Sequence, residues 1–259
     1  MKTRVVAFGN CQAAQIKKLL SILTPADEFS FQYFSNNDRT GGKKSASEIL
    51  DGVKSADLLI YQPLSRAHGE LSDENIKATV SKSCVALSFS YIFNSGIGSL
   101  CHAPKANKLF GEEYVIDLIN KKYGRKEILE AYKEGSINFN VQERFQNCLS
   151  EQRRRENETS IKLADYIAEN YQKQRLFISH NHPANVLFYE VIRQIKHITG
   201  MPINTNFEEF NFPRLPKQNC PISPYDVASH GYQFGQDPKW LKKGNILIEK
   251  ILSAHGVNE

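Results

Sequence analysis

The 259-residue sequence lacks the features of several specialised protein classes. It has no run of eighteen apolar residues, and its N-terminus passes from four residues into an apolar stretch of only about five residues. We therefore expect neither a transmembrane helix nor a signal peptide. Internal repeats and low-complexity segments are also absent. These absences predict a cytoplasmic protein with no integral membrane association, and the length of 259 residues is enough for a full core.

Cysteine pairs at short spacing are missing as well. The five cysteines are odd in number, widely scattered and never arranged as C-x-x-C: Cys11, Cys84, Cys101, Cys148 and Cys220. This pattern argues against a disulfide framework and against a zinc ribbon. We expect all five to be reduced thiols.

The positive charge is mild, at +5, and falls in short clusters such as Lys17-Lys18 and Arg153-Arg154-Arg155. On helices such clusters are commonly solvated faces, although they can also receive phosphates. Because no RNA-recognition, zinc-finger or helix-turn-helix pattern accompanies the charge, nucleic-acid binding is not expected. A small molecule that carries phosphate is the better match.

The first 104 residues alternate between strand and helix patterns. The predicted strands are Val5–Phe8, Phe29–Phe34, Asp57–Gln62 and Cys84–Ser90, and the predicted helices are Ala13–Leu23, Ser45–Val53 with Ser45 or Ser47 as the cap, and Asp73–Lys82. This order predicts an α/β fold in which a parallel sheet has helices on both sides.

The middle of the chain changes character. Residues 105–174 are charged and helix-forming, which predicts an α-helical insertion lobe. The remaining predictions are a fifth strand at Arg175–Ser179, a helix at Val186–Thr199, an extended proline-rich stretch at Phe212–Pro224 and a last helix at Leu241–His255. We expect residues 1–104 and 175–259 to form the α/β core, with the lobe inserted, as one structural domain overall.

Cys11 lies where the first strand turns into the first helix, in the sequence Gly9-Asn10-Cys11-Gln12. Backbone N–H groups and the positive end of the helix dipole favour a thiolate over a thiol at such a position, and they can bind an oxyanion. Cys11 could equally be a small buried hydrophobe, the usual state of a free cysteine. This stretch alone leaves both interpretations open.

Polar residues end two further strands, with Gln62 after the third and His180-Asn181-His182 after the fifth. Ligand sites of doubly wound sheets form at the carboxyl ends of the parallel strands. The topology therefore predicts that a thiol, an amide and an imidazole meet at one rim.

This combination indicates acyl-transfer chemistry, with Cys11 as nucleophile and His182 as its base. The Cys11 amide, with Asn10, Gln12 or Gln62, could supply the oxyanion donors. For His180 a structural role is favoured over catalysis. A metal held by His180, His182 and Cys11 is the rival hypothesis, although no further ligand cluster completes such a site.

Several of these motifs, in this order, resemble the WcbI-like family of acyltransferases of bacterial capsule and polysaccharide biosynthesis. They are Gly9-Asn10-Cys11-Gln12, Tyr61-Gln62-Pro63, Arg155-Glu156 before a helix at Ile161–Tyr171, Asn181-His182-Pro183 with Asn185, and Pro221-Ile222-Ser223-Pro224 with Val227. The chain departs from the family at Ser99-Leu100-Cys101-His102, where a Gly-Tyr-His-Pro-like motif is expected. That departure puts a role for His102 in doubt.

The resemblance implies a coenzyme A-binding protein with a cysteine and histidine site, which moves an acetyl group to a sugar hydroxyl. It also implies a three-layer, flavodoxin-like or SGNH-hydrolase-like sheet in which Cys11 takes the place of the serine. Asn181 would join the substrate-binding residues. For the phosphates of coenzyme A the first candidates are Arg153, Arg154 and Arg155, and the second are Lys17 and Lys18.

Two other functions fit the same residues. One is a cysteine esterase or thioesterase, in which water replaces the sugar hydroxyl, and the other is a non-catalytic module that binds coenzyme A or a nucleotide. The sequence does not separate a covalent acyl-cysteine from direct transfer. It also leaves open the acceptor sugar, the acyl chain and whether the chain forms a homo-oligomer.

Overall fold

The computed structural model describes residues 2–36, 44–102, 108–209, 219–234 and 237–257, with the backbone alone at residue 102. The chain divides into two compact units. Unit 1 comprises Met1–Tyr91, Gln152–Ala164 and Asn185–Pro213, and unit 2 comprises Ile92–Glu151, Asp165–Ala184 and Arg214–Glu259. The predicted lobe, 105–174, contributes residues to both units.

Strands and helices alternate at the N-terminus, and helices dominate after it. The strands are β1 (Thr3–Gly9), β2 (Phe29–Ser35), β3 (Leu58–Tyr61), β4 (Val85–Ser88), β5 (Cys101–His102), β6 (Leu109–Phe110), β7 (Phe177–Ser179) and β8 (His182–Pro183). The α-helices are α1 (Cys11–Leu23), α2 (Ala46–Lys54), α3 (Asp73–Thr79), α4 (Glu112–Asn120), α5 (Arg125–Glu134), α6 (Val141–Glu156), α7 (Ala164–Asn170), α8 (Asn185–Thr199), α9 (Pro224–His230) and α10 (Pro238–Ala254).

A four-stranded parallel sheet forms the centre of unit 1, in the order β2-β1-β3-β4. The register pairs Ala7 with Tyr33 on one side and with Ile60 on the other, and Ile60 with Leu87. Strand β1 is buried from Val5 to Gly9, as its uncharged apolar sequence predicts for a central parallel strand. The four predicted N-terminal strands are therefore confirmed.

Helices cover the sheet of unit 1. Val6 and Phe8 of β1 pack in one cluster with Ile49 and Val53 of α2 and Ile76 of α3. Helix α1 contacts β1, β2 and α8. The parallel α/β architecture is thus confirmed, whereas the three-layer, SGNH-like arrangement stays a prediction.

Helix α2 begins with the capping box that its sequence predicts. The Ser45 hydroxyl accepts the Glu48 N–H at 3.2 Å, and the Glu48 carboxylate accepts the Ser45 N–H at 2.8 Å. Two backbone donors that the helix cannot satisfy internally are paired in this way. Of the two serines proposed as the cap, Ser45 is the one that serves.

The predicted fifth strand does not join the parallel sheet. Its residues form β7, which pairs antiparallel with β8 so that Ser179 lies opposite His182. The chain reverses within His180 and Asn181, and β7 therefore finds its partner three residues later in the sequence. The expectation that the His180-Asn181-His182 segment follows a strand of that sheet was wrong.

The predicted helix at Ile161–Tyr171 is shorter than expected. It begins only at Ala164, because the buried Glu156 carboxylate accepts the N–H groups of Leu163 and Ala164, each at 2.9 Å. Residues 161–163 are thereby held in a non-helical conformation. Helices α4, α5 and α6 confirm the helical character of the preceding range.

Unit 2 has its own hydrophobic core, built largely from α4, α5 and α10. The cluster includes Val115, Ile128, Tyr132, Ile248 and Leu252, all nearly or completely buried. A disulfide joins Cys101 to Cys220, also inside unit 2. The expectation of five reduced thiols was wrong for this pair, because two cysteines far apart in sequence are brought together by the fold. Cys11, Cys84 and Cys148 are free.

Some predictions fall outside the described residues. They concern the loop at 37–43, the His102 side chain with Ala103 and Pro104, and residues 212–218 of the proline-rich stretch. Within the described ranges, no helix combines the length and the apolar character that crossing a membrane requires.

Gly52 tests the packing of α2 on the sheet. Alanine normally stabilises a helix relative to glycine by about 1 kcal/mol. A Cβ at Gly52, however, would overlap the buried ring of Phe34.

Because of this overlap, we expect Gly52→Ala to lower the free energy of unfolding by about 1–3 kcal/mol in urea denaturation. Asp51→Ala, at an exposed position of the same helix, is the control and should change stability by less than about 0.5 kcal/mol. Equal or higher stability of Gly52→Ala would contradict this packing.

Candidate active site

The turn between β1 and α1 presents Cys11 at the first position of the helix. Asn10 is the N-cap, and its Oδ1 accepts the Gln12 N–H at 2.8 Å. This bond satisfies one of the backbone donors at the start of the helix. Cys11 is exposed. The structure therefore excludes the interpretation of Cys11 as a buried hydrophobe.

Gln62, the first residue after β3, holds this turn in place. Its Oε1 accepts the Asn10 N–H at 2.8 Å, and its Nε2 lies 3.4 Å from Gln12 Oε1. Gln62 and Gln12 are both buried. Gly9 permits the approach, because its φ of +156° favours glycine and an added Cβ would lie 2.8 Å from Gln62 Oε1.

Asn10, Gln12 and Gln62, the residues predicted to bind an oxyanion, stabilise the turn between β1 and α1 through these hydrogen bonds. Asn10 caps the helix, the Gln12 N–H is engaged by that cap, and Gln62 accepts a bond from the turn. All three lie together at the carboxyl edge of the sheet, as the sequence predicts. Their part in binding an oxyanion stays a prediction.

Tyr33 is a neighbour of Cys11 that the sequence did not reveal. Its hydroxyl lies 3.1 Å from the Gly9 carbonyl oxygen and 3.2 Å from that of Asn10, so its proton is shared by the two acceptors. Desolvation is the main cause that raises the pKa of Tyr33, and repulsion from the Cys11 thiolate adds to it. In the alternating strand Phe29–Ser35 nothing distinguished this tyrosine from its aromatic neighbours.

The acidity of Cys11 differs from the expectation. Desolvation raises the pKa of the Cys11 thiol, and the N–H groups of Cys11 and Gln12 lower it by a smaller amount. The net shift is upward. The N–H groups at the helix terminus lower the thiol pKa as predicted. Although Cys11 is exposed, the partial desolvation of its sulfur raises the pKa by more.

Two cavities of unit 1 share Pro63, Leu64 and Tyr91, and one of them opens beside this turn. The amide cavity has a volume of about 320 Å³ and is lined by Asn10, Asn36, Gln62, Pro63, Leu64, His68 and Tyr91. The arginine cavity has a volume of about 520 Å³ and is lined by Pro63, Leu64, Ser65, Arg66, Ser72, Asp73, Glu74, Ser90, Tyr91, Arg154, Arg155, Glu158 and Thr159. Both volumes lie in the range of small-molecule sites.

The arginine cavity contains two of the three arginines predicted to bind phosphate, Arg154 and Arg155. Arg153, Lys17 and Lys18 do not belong to the described lining of either cavity. Arg66 was not predicted, and its Nη2 pairs with Glu74 Oε1 at 2.5 Å. A helix places successive residues about 100° apart, so three consecutive arginines cannot face the same cavity equally.

A buried network anchors the helix end that carries these arginines. The side chain of Gln152 donates to Glu156 Oε1 and to Ser90 Oγ, each at 2.6 Å. Just beyond the helix, the N–H groups of Ser160 and Ile161 donate to the Ser88 carbonyl oxygen at 3.0 Å. The last turn of α6 is thus fixed against the end of β4. The sequence identifies Glu156 only as part of the Arg155-Glu156 motif.

His182 is the first residue of β8, in unit 2. Its Nδ1 is 2.6 Å from Ser179 Oγ, and this hydroxyl donates to Asn181 Oδ1 at 3.2 Å. The Ser179 hydroxyl and His182 Nδ1 share a short hydrogen bond, and its direction depends on the tautomer of the ring. Desolvation lowers the pKa of His182, so the ring is neutral at neutral pH.

His180 has different surroundings. It is buried, and its ring packs edge-on against Phe93 and Phe110, with centroids 5.4 Å away in both cases. Its carbonyl oxygen accepts the Asn94 N–H at 2.7 Å. These contacts describe a core histidine, the role that the sequence favoured.

Cys11 belongs to unit 1 and His182 to unit 2, so their cooperation stays a prediction. Among the residues that the structure describes, no group of three or more histidine, cysteine or acidic side chains is arranged to hold a metal ion.

The fold and this edge define an α/β protein with a candidate ligand site at the carboxyl ends of parallel strands. The sequence model of WcbI, described as a polysaccharide biosynthesis enzyme, matches residues 4–204. Because the match covers more than half of the chain, the protein belongs to the WcbI family. The resemblance inferred from the motifs is confirmed.

A solved structure described as WcbI, a polysaccharide biosynthesis enzyme, is similar to the chain, with a TM-score of 0.66 and 17% sequence identity over 98% of this chain and 96% of that one. That protein is described as native and without a disulfide bond between coenzyme A and one of its cysteines. The likeness shows a shared fold. A comparison with curated proteins finds no match.

The raised pKa of Cys11 predicts its reactivity. Because the thiol stays protonated to higher pH, we expect iodoacetamide to alkylate Cys11 more slowly than N-acetylcysteine at about pH 7. The rate should still rise as the pH passes about 9. Peptide mass spectrometry across a pH series measures it. A rate that levels off below about pH 7 would show that the helix terminus dominates after all.

Proposed function

We propose that the protein is a coenzyme A-dependent acyltransferase that moves an acetyl group to a saccharide hydroxyl in polysaccharide biosynthesis, in which Cys11 is the nucleophile and His182 the base. The observation that carries the proposal is the edge of unit 1, where Asn10, next to the exposed Cys11 in the chain, lines a cavity that shares Pro63, Leu64 and Tyr91 with the arginine cavity. Membership in the WcbI family supports it. So does the coenzyme A named in the description of the similar structure.

The arginine cavity suits the donor. Coenzyme A carries a diphosphate and a 3′-phosphate, and guanidinium groups bind phosphates in a bidentate, charge-assisted manner. Arg154 and Arg155 are the residues that would hold these phosphates. Arg66 is a third candidate, although its pairing with Glu74 would have to yield to the ligand.

The state of His182 suits a base. A neutral imidazole with its lone pair on Nε2 can accept a proton, and the partly desolvated ring stays neutral at neutral pH. Ser179, as the acceptor of an Nδ1–H, would hold the ring in this tautomer. Residues that hold a ring in its reactive tautomer are a recurring part of acyl-transfer sites.

In the covalent route, Cys11 Sγ attacks the thioester carbonyl carbon while His182 Nε2 takes the thiol proton. The bond to the coenzyme A sulfur breaks, and that sulfur receives the proton. The saccharide hydroxyl then attacks the acyl-cysteine, loses its proton to His182, and Cys11 regains it as the thiol. Backbone N–H groups at the start of α1 would stabilise the tetrahedral oxyanion.

The raised pKa of Cys11 favours a second route, direct transfer. Little thiolate exists at neutral pH, so a covalent step depends on a base at the moment of attack. In direct transfer His182 would deprotonate the saccharide hydroxyl, whose oxygen attacks the thioester carbonyl carbon. The bond to the coenzyme A sulfur then breaks, and that sulfur receives the proton from His182. Cys11 would then only line the donor site.

The two arginines of the cavity give a test of donor binding. We expect Arg154→Gln and Arg155→Gln each to weaken coenzyme A binding about fivefold, the effect of losing one exposed charge-assisted contact of about 1 kcal/mol. Isothermal titration calorimetry measures the dissociation constants. Lys54→Gln, an equal charge change at the exposed end of α2, is the control and should leave the affinity unchanged. Equal effects from all three variants would point to net charge alone.

Cys11→Ala separates the two routes. If Cys11 carries the acyl group, the wild-type protein should gain an acetyl-sized mass on incubation with acetyl-coenzyme A, and Cys11→Ala should gain none and lose turnover. Coenzyme A affinity should change little. Intact-mass spectrometry and calorimetry give the two readings. Retained turnover by Cys11→Ala would leave only direct transfer.

A further inference from the structure

We propose that the amide cavity is the acceptor subsite, and that it binds one neutral, polyhydroxylated unit, a sugar ring of the saccharide. This inference rests on the proposed function and assigns a place to its second substrate. It is carried by the chemical contrast between two adjoining cavities of unit 1.

The contrast is one of charge. The arginine cavity is lined by Arg66, Arg154 and Arg155 together with carboxylates. The described lining of the amide cavity contains no acidic residue, lysine or arginine. The first cavity offers guanidinium groups that can bind phosphates, whereas the described lining of the second offers hydrogen bonds from uncharged amides.

The polar groups of the amide cavity match hydroxyl groups. Asn10 uses its Oδ1 to cap α1, so the Nδ2 end of its amide is the end left to face a ligand. Asn36 contributes a second amide, while its backbone N–H is bound to the Gly9 carbonyl oxygen at 3.0 Å. A sugar hydroxyl can both accept from and donate to such groups.

His68 supplies an imidazole to the lining. Its Nδ1 contacts Ser65, at 3.3 Å from the carbonyl oxygen and 3.4 Å from Oγ, so Nε2 is the ring nitrogen left to meet a sugar hydroxyl. Tyr91 adds an aromatic side chain to the lining, against which the C–H face of a sugar ring can pack.

Size and position agree with this assignment. A volume of about 320 Å³ lies at the small end of the range for ligand sites, suited to one sugar unit rather than to a whole coenzyme. Asn10 lines the cavity and immediately precedes Cys11 in the chain. A hydroxyl held there lies beside the turn that presents the thiol.

The test measures sugar binding separately from donor binding. Methyl α-D-glucopyranoside, methyl β-D-galactopyranoside and methyl α-D-mannopyranoside are titrated into the full-length protein by NMR, and coenzyme A is titrated by calorimetry. We expect at least one glycoside to bind the wild type, and Asn36→Leu and His68→Phe each to weaken it about fivefold. His68→Gln keeps an acceptor near the Nε2 position and should retain most of the affinity. Coenzyme A affinity should stay within about twofold throughout.

Three results would overturn the assignment: no glycoside binding to the wild type at about 50 mM, binding that both variants leave unchanged, or an equal loss of coenzyme A affinity, which would place the donor in this cavity. Failure of the proposed function looks different. In that case the wild type would bind no coenzyme A, while the glycoside titrations would still report on the cavity.

Discussion

The hydrogen bond from the Asn10 N–H to Gln62 Oε1, 2.8 Å long, is the contact on which the candidate site depends. It joins the ends of two neighbouring parallel strands and forms only because Gly9 has no Cβ in the way. Gln62 is buried, so losing the bond would leave a polar atom without solvent, which is costly. The next two residues, Pro63 and Leu64, line both cavities. The Gln62 side-chain amide thus fixes the turn that carries Cys11 next to the residues that line both cavities.

Individual strands and helices were predictable where the order of apolar and polar residues in a segment reflects how deeply that segment is buried or how it is capped. Strand β1 is apolar throughout because it is central, and Ser45 caps α2 because the Glu48 carboxylate lies one turn away. The error at Phe177–Ser179 has a physical reason. A short apolar run shows that a strand is buried but not which strand pairs with it, and here the nearest partner follows a turn of two residues.

The site residues were predictable where they lie close together in the sequence or at the ends of adjacent strands. Cys11, Asn10 and Gln12 follow from one strand-to-helix turn, and Gln62 from the end of the adjacent strand. Tyr33 and the Cys101–Cys220 disulfide depend on distant segments meeting, which no spacing reveals. The acidity of Cys11 also escaped prediction, because the helix dipole can be read from the sequence whereas desolvation cannot.

The electrostatics of unit 1 constrain the mechanism within the proposed function. The arginine cavity holds carboxylates as well as arginines, and Arg66 is already paired with Glu74, so its cations are partly neutralised before any ligand arrives. Desolvation of the Cys11 thiol, which raises its pKa, disfavours a stable thiolate that waits for substrate. In the proposed covalent route the thiol would therefore lose its proton during the attack, and a neutral imidazole such as that proposed for His182 would take it.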